Sequence, residues 1–120
     1  FSMEMHCVFF NEKFGSFTNV LRQQNEEVLV MAFFLQVPED DCSCYQRGNR
    51  MLDPLVKVAA SIKDKDTIAL ILRDDIVDII LDKMESTDYY TYSGSLTTPK
   101  YNEIVKWVIY HTPICISHQQ

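Results

Sequence analysis

The stretch MEMHCVFF, residues 3–10, carries the clearest fold signal in this chain of 120 residues. Its residues first alternate and then become fully apolar, a pattern that predicts a β-strand entering a core. Side chains two positions apart on a strand point to the same face, so we expect Glu4, His6 and Val8 to lie side by side. This arrangement sets a carboxylate next to an imidazole, with a small apolar wall beside both.

A carboxylate next to a histidine has two interpretations. In one, His6 is a metal ligand that donates its second ring N–H to Glu4, which fixes the tautomer and raises the basicity of the ring. In the other, His6 is a core histidine whose hydrogen-bonding needs are met by a local carboxylate. These residues taken alone favour the second interpretation.

The rest of the chain predicts a β-rich α+β protein. Residues 28–37 are apolar on both faces, which predicts a central strand covered on both sides. Further strands are expected at 89–92, at 104–110 and, as a last one, around Ile114 and Ile116.

Helical signals are confined to the middle of the chain. Asp53 should cap the free N–H groups of a helix, with Pro54 in its first turn. Apolar residues recur at helical spacing and predict one buried face, formed by Leu55, Val58, Ala59 and Ile62. The apolar segments 68–72 and 76–81 are compatible with a short helix or with strand edges.

Composition excludes two classes of partner. Seventeen acidic against eleven basic residues leave a net charge of −6, and the basic residues are scattered singly, whereas binding to a phosphate backbone needs clustered Lys and Arg. The longest apolar run, 28–35, is too short to span a bilayer. We therefore expect neither nucleic-acid binding nor membrane insertion.

Four cysteines are present. Cys7 and Cys115 lie in apolar strand-like sequence, where free buried thiols are the commoner state. Cys42 and Cys44 lie in a polar, acidic segment, 38–48, that predicts a long exposed loop. A Cys-x-Cys pair is also half of a metal-site pattern, but no second pair follows at a usable spacing, so the disulfide state of these two cysteines stays open.

A second segment, YTYSGSLTTP at 90–99, closely resembles the active-site loop of the α-class carbonic anhydrases. The segment at 3–10 is similar to the third zinc-ligand strand of that family. Other matching residues follow in the family's order: Asn11, Phe14, Gly15, Phe17, Val30, 34–37, 61–63, Glu103 and Trp107. The resemblance therefore spans essentially the whole chain.

This resemblance implies a place within a larger domain. Residues 1–120 would be the C-terminal portion of a single carbonic anhydrase domain, incomplete at the N-terminus and also at the C-terminus. The implied fold is part of a large central, mostly antiparallel twisted sheet with short peripheral helices.

The resemblance also implies roles for individual residues. His6 matches the third zinc ligand, and Glu4 matches the carboxylate that orients it. Thr97 matches the threonine whose hydroxyl aims zinc-bound hydroxide at carbon dioxide, and Thr98 matches the neighbour that contacts bicarbonate. The apolar wall around carbon dioxide is matched by Val8, Val30, Leu96, Val105 and Trp107.

Several family features are missing or changed. The first two zinc histidines, a His-x-His pair, do not occur, and His111 and His118 fall at the wrong end of the chain to replace them. Only one of three expected zinc ligands is present, so we expect the isolated chain to be inactive unless a missing N-terminal segment or a partner protein completes the site. Lys100 stands where a second proline is usual, and Tyr101 where many secreted members carry a disulfide cysteine. The segment 39–49 is expanded.

Two functions follow from this combination. The first is the reversible hydration of carbon dioxide to bicarbonate by zinc-bound hydroxide, performed by the complete form. The alternative is a carbonic-anhydrase-related protein that does not catalyse and serves as a binding or structural module. A fortuitous match of an unrelated β-rich domain is the third and most remote interpretation.

Overall fold

Four β-strands form one mixed sheet in the computed structural model, which describes residues 1–39, 48–62, 64, 67–69, 75–85 and 88–120. The strands are β1 (Met3–Phe10), β2 (Val28–Gln36), β3 (Tyr89–Gly94) and β4 (Val105–Cys115). Their order across the sheet is β1-β2-β4-β3, with β1 antiparallel to β2 and β3 antiparallel to β4. The predicted β-rich α+β class is confirmed.

The predicted first strand and central strand are both confirmed. β1 pairs with β2 so that His6 lies opposite Ala32 and Val8 opposite Val30. In β2, side chains of both alternating sets are buried, such as Val30 and Ala32 on one face and Met31 and Phe33 on the other. Burying one such Val or Phe side chain stabilises a fold by about 1.5–3 kcal/mol, which explains why β2 is an inner strand.

One face of the sheet carries a continuous apolar core. Its buried members come from β2, from β4, from the residue just before β4 and from the end of a short helix that precedes β2; they are Val28, Val30, Ala32, Val105, Trp107, Ile104 and Val20. On the opposite face, the rings of Phe33 and Tyr110 stack with centroids 5.0 Å apart. The alternation of the strands thus assigns the Glu4–His6–Val8 set to the face that carries this core.

The prediction of a separate last strand around Ile114 and Ile116 is wrong. A single strand, β4, continues through Pro113 to Cys115. β3 pairs with β4 only as far as Tyr110, so the missing N–H of Pro113 falls beyond that pairing and breaks no hydrogen bond to β3.

The helices are short. After a 3₁₀ turn at Glu12–Phe14 comes α1 (Phe17–Val20), and a second 3₁₀ turn at Arg50–Leu52 leads into α2 (Asp53–Ser61) and later α3 (Asp75–Met84). The segment 76–81, which the sequence left open, is therefore helical. Residues 70–72, part of the apolar segment 68–72, lie outside the described residues. So do residues 40–47, most of the predicted loop 38–48.

Two predictions for α2 are wrong. The chain enters the helix through a 3₁₀ turn, so Asn49 caps that turn by accepting a hydrogen bond from the Met51 N–H (3.1 Å). Asp53 is the first helical residue, and its Oδ1 accepts a bond from Gln120 Nε2 (3.0 Å). The predicted apolar face is not buried either: Ala59 is exposed, and the other three members are only partly covered.

The chain divides into two compact units. One comprises residues 1–35 and 88–113 and holds β1, β3 and most of β2 and β4; the other comprises 36–87 and 114–120 and holds α2 and α3. In the second unit, the side-chain amide of Gln120 binds both backbone groups of Asn49, accepting from its N–H (2.8 Å) and donating to its carbonyl (2.8 Å). None of the helices in the described ranges is long and apolar enough to cross a membrane.

The two cysteines in the described part of the chain differ in redox state. Cys7 is a free thiol, as predicted, and is half-buried. Burial raises the pKa of this thiol. Cys115 is disulfide-bonded, so its prediction as a free thiol is wrong. An apolar strand pattern reports burial along one strand, whereas a disulfide depends on which distant cysteine the fold brings near.

Candidate active site

A cavity of about 220 Å³ lies on the core-bearing face of the sheet, within the first unit. Three separate stretches of sequence supply its walls: β1 with α1, β2, and the loop that joins β3 to β4 together with β4 itself. The lining residues are His6, Val8, Phe17, Val30, Leu96, Thr97, Thr98 and Trp107. Most of the wall is apolar, with one imidazole and two hydroxyl groups among the lining side chains.

The Glu4–His6 pair on β1 is oriented by a short hydrogen bond. His6 Nε2 lies 2.7 Å from Glu4 Oε1, and because an ionised carboxylate only accepts, Nε2 carries the proton of the neutral ring. The lone pair is then on Nδ1, which leaves that nitrogen able to bind a metal. His6 lines the cavity with 31% of its side chain exposed.

The indole of Trp107 connects this pair to the loop that carries the threonines. Its ring meets the His6 ring in a T-shaped contact, with centroids 5.0 Å apart, and stacks on Tyr92. Its Nε1–H donates to the carbonyl of Ser95 (3.1 Å), two residues before Thr97. Trp107 is itself 5% exposed, so it is a rigid support for both His6 and the loop.

The loop of residues 95–102 has an unusual backbone after the threonines. The Leu96 N–H bonds the Asn102 carbonyl (3.0 Å) and closes the loop at its base, and the Tyr101 N–H bonds the Thr98 carbonyl (3.0 Å). Lys100 and Tyr101 adopt positive φ angles of 81° and 47°. A proline, whose ring fixes φ near −65°, could not adopt the backbone of Lys100.

The cavity also has a lining residue that the sequence did not single out for the site. Phe17 reaches the cavity from the first turn of α1. The turn before it is shaped by Gly15 at φ 68° and by Ser16, whose hydroxyl caps α1 by accepting from the Asn19 N–H (3.3 Å). The sequence signals for Phe17 were its place two positions after a turn glycine and its match to the family, and neither assigned it to the site.

Seven of the nine predicted site residues line the cavity. Glu4 does not line the cavity, but its carboxylate is hydrogen-bonded to His6, which does. Val105 does not line the cavity; it is completely buried in the core with Val30 and Trp107. Its contribution is to the packing that supports the wall.

These residues supply only part of the ligand set that a metal centre needs. Among the described residues, no three His, Cys, Asp or Glu side chains lie close enough together to hold a metal ion. His6 Nδ1 fits one ligand position, whereas a catalytic zinc centre takes three protein ligands. His111 is engaged elsewhere, with Nδ1 3.3 Å from Asp88 Oδ2. The described residues therefore fit one ligand of a zinc centre and not the complete set.

The following matches to known proteins all belong to one family. The sequence profile of the eukaryotic-type carbonic anhydrases matches residues 1–120. Mouse carbonic anhydrase 4 is 28% identical over 120 residues, 100% of this chain and 35% of the mouse protein. Rat mitochondrial carbonic anhydrase 5B is 34% identical over 98% of this chain and 33% of its own length, and carbonic anhydrase 1 of Monodelphis domestica is 31% identical over 100% and 42%. The chain thus spans 33–42% of the length of these relatives.

Proposed function

Because the chain belongs to the eukaryotic-type carbonic anhydrase family, we propose that a complete domain containing it catalyses the reversible hydration of carbon dioxide to bicarbonate. The observation that carries the proposal is the cavity in which the imidazole of His6 and the hydroxyl-bearing residues Thr97 and Thr98 share a small, mostly apolar space. An apolar wall suits carbon dioxide, and hydroxyl groups suit bicarbonate.

Zinc, when bound, lowers the pKa of a water ligand toward neutrality and so supplies a nucleophile near pH 7. In this proposal His6 contributes one ligand through Nδ1, and Glu4 holds the ring in that tautomer by accepting from Nε2. The remaining ligands come from outside these residues, either from another segment of the polypeptide or from a partner protein.

The cavity residues have separate roles in positioning the attacking water, carbon dioxide and bicarbonate. The hydroxyl of Thr97, on a loop fixed by Trp107 and by the closure at Leu96, orients the attacking water toward carbon dioxide. Thr98 contacts the bicarbonate product. The apolar side chains exclude bulk water and favour carbon dioxide in the cavity. These side chains are Val8, Val30, Leu96 and Trp107, with Val105 packed behind them.

The experiment compares the isolated chain with a complete domain that supplies a His-x-His strand. The isolated chain should bind zinc no better than a single exposed imidazole does, and the complete domain should bind zinc tightly and hydrate carbon dioxide. Tight zinc binding by the isolated chain that is lost in His6→Ala would show that the ligand set has been misjudged.

Thr97→Ala tests the role of the loop in the complete domain. It should lower kcat/KM by about 10²-fold, because a positioned group is lost, while zinc affinity stays the same. Thr91→Ala is the matched control, since Thr91 is an exposed threonine of β3 on the opposite face from Tyr92 and Trp107. A complete domain that holds zinc with Thr97 intact and shows no hydration contradicts the proposal and favours the non-catalytic binding module.

A further inference from the structure

Asn102 bonds two segments that each carry a cavity-lining residue, without lining the cavity itself. Its backbone carbonyl accepts the Leu96 N–H (3.0 Å), at the base of the loop that carries Thr97 and Thr98. Its side-chain Nδ2–H donates to the carbonyl of Leu21 (2.9 Å), a residue 81 positions away that ends α1. One residue thus bonds the threonine loop through its backbone and α1 through its side chain.

The connection continues from Leu21 to the lining residue Phe17 through α1 itself. The Leu21 N–H donates to the carbonyl of Phe17 (3.1 Å), and Phe17 lines the cavity. Leu21 is also packed against the apolar core, and this packing supports the position of its carbonyl. The path from Thr97 to Phe17 therefore runs through Leu96, Asn102 and Leu21.

We propose that Asn102 is a positioning residue that sets where the loop carrying Thr97 and Thr98 stands relative to α1 and its cavity-lining Phe17. The proposal rests on the proposed function, because the threonines need positioning only if they act on a substrate. A primary amide suits this place because it donates a directional N–H to a carbonyl. An apolar side chain would leave the Leu21 carbonyl without this bond, and a carboxylate would set an oxygen against it.

The backbone of the loop explains why an anchor is needed there. Lys100 and Tyr101, immediately before Asn102, have the left-handed φ angles that non-glycine residues adopt at a cost. Such a backbone persists only when neighbouring contacts hold it. The Asn102 side chain supplies a bond to the rest of the fold directly after the strained pair, and Trp107 supplies another at Ser95 on the other side of the threonines.

The test uses the zinc-loaded complete domain with Asn102→Ala and Asn102→Asp. The bond that is removed is a neutral, half-buried hydrogen bond, so kcat/KM for hydration should fall about 5- to 10-fold in Asn102→Ala. Asn102→Asp keeps the shape of the side chain, and its kcat/KM should fall at least as far. Zinc affinity and the midpoint of the pH–rate profile should not change, because Asn102 touches neither Glu4 nor His6.

A second measurement does not depend on catalysis. Hydrogen exchange at the Leu96 amide should become about 5-fold faster in Asn102→Ala, because the base of the loop loses its anchor. Asn49→Ala is the matched control, since Asn49 is also half-buried and its side chain also makes a bond to a backbone group, the Met51 N–H. This control should change neither Leu96 exchange nor kcat/KM.

The outcomes separate this inference from the proposed function. A wild-type domain that holds zinc without hydrating carbon dioxide overturns the proposed function, and with it any catalytic use of Asn102. An active wild-type domain whose kcat/KM is unchanged in Asn102→Ala overturns the positioning role. Unchanged exchange at Leu96 overturns it too, as does a parallel loss of zinc affinity and kcat/KM, which would indicate general damage to the fold.

Discussion

Replacing Gly48 by alanine should destabilise the protein more than the same change at Gly15. Both glycines have left-handed backbones, with φ of 65° at Gly48 and 68° at Gly15. They differ in their surroundings: an added Cβ at Gly15 meets no atom within 4 Å, whereas at Gly48 it would overlap Gln120 Oε1 and lie 2.6 Å from Gln120 Cδ.

The magnitude follows from these two contributions. A non-glycine residue in the left-handed region costs about 1–2 kcal/mol, and at Gly15 this is the whole effect. At Gly48 the new methyl also displaces the Gln120 amide, which bonds the Asn49 backbone twice and reaches Ser117 N (3.3 Å) and Asp53 Oδ1 (3.0 Å). Losing two of these bonds at about 1 kcal/mol each gives a total cost of about 3–4 kcal/mol for Gly48→Ala.

The assay is urea unfolding of the complete domain, followed by circular dichroism, for both variants and for a double-mutant cycle with Gln120→Ala. In the Gln120→Ala background, Gly48→Ala should cost only the backbone strain, so the coupling free energy should be about 2 kcal/mol. Equal destabilisation by Gly15→Ala and Gly48→Ala, or a coupling free energy near zero, would refute the contact between Gly48 and Gln120.

Four further measurements check other parts of the structure. Glu4→Gln should weaken zinc binding by the complete domain about 10-fold in a chelator competition, and unchanged affinity would contradict the orienting role of the carboxylate. Trp107→Phe removes the bond to Ser95 and should lower the free energy of unfolding by about 1 kcal/mol or more, whereas equal stability in urea would contradict that bond. Cys7 should react with iodoacetamide at pH 8 more slowly than an unfolded-peptide cysteine does, and faster as pH rises, because burial raises the pKa of its thiol; a peptide-like rate argues against this burial. Lys100→Pro should lower kcat/KM and stability together, and a fully active, stable variant would refute the left-handed backbone at that position.

Local periodicity predicted how the side chains of the first two strands are placed, whereas their roles in a site came from the family resemblance. The period of two in β1 was sufficient to set Glu4 and His6 on one face, and their side chains meet at 2.7 Å. The two-sided apolar pattern of β2 was sufficient to make it an inner strand. Both features depend on neighbours within one strand, which is the range over which side-chain alternation carries information.

Features that depend on distant residues were not predictable in this way. The cap of α2 was assigned to Asp53 because a 3₁₀ turn before the helix leaves no periodic signal. The disulfide bond of Cys115 and the bond from Asn102 to Leu21 depend on residues that only the fold brings together. Phe17 could be recognised as part of a turn, but its place in the cavity wall depends on how α1 packs against the sheet.

The departure at Lys100 has a physical explanation that bears on the choice between enzyme and binding module. By the family resemblance Lys100 stands where a second proline is usual, a departure that favours the binding module. The backbone at Lys100 has a φ of 81°, which a proline cannot adopt, so a proline at this position would require a loop of another shape. The loop nevertheless keeps Thr97 and Thr98 at the cavity, held by Trp107 before them and by Asn102 after them. Proline is therefore excluded from position 100 by the backbone of this loop, and the presence of the remaining zinc ligands is what distinguishes the two functions.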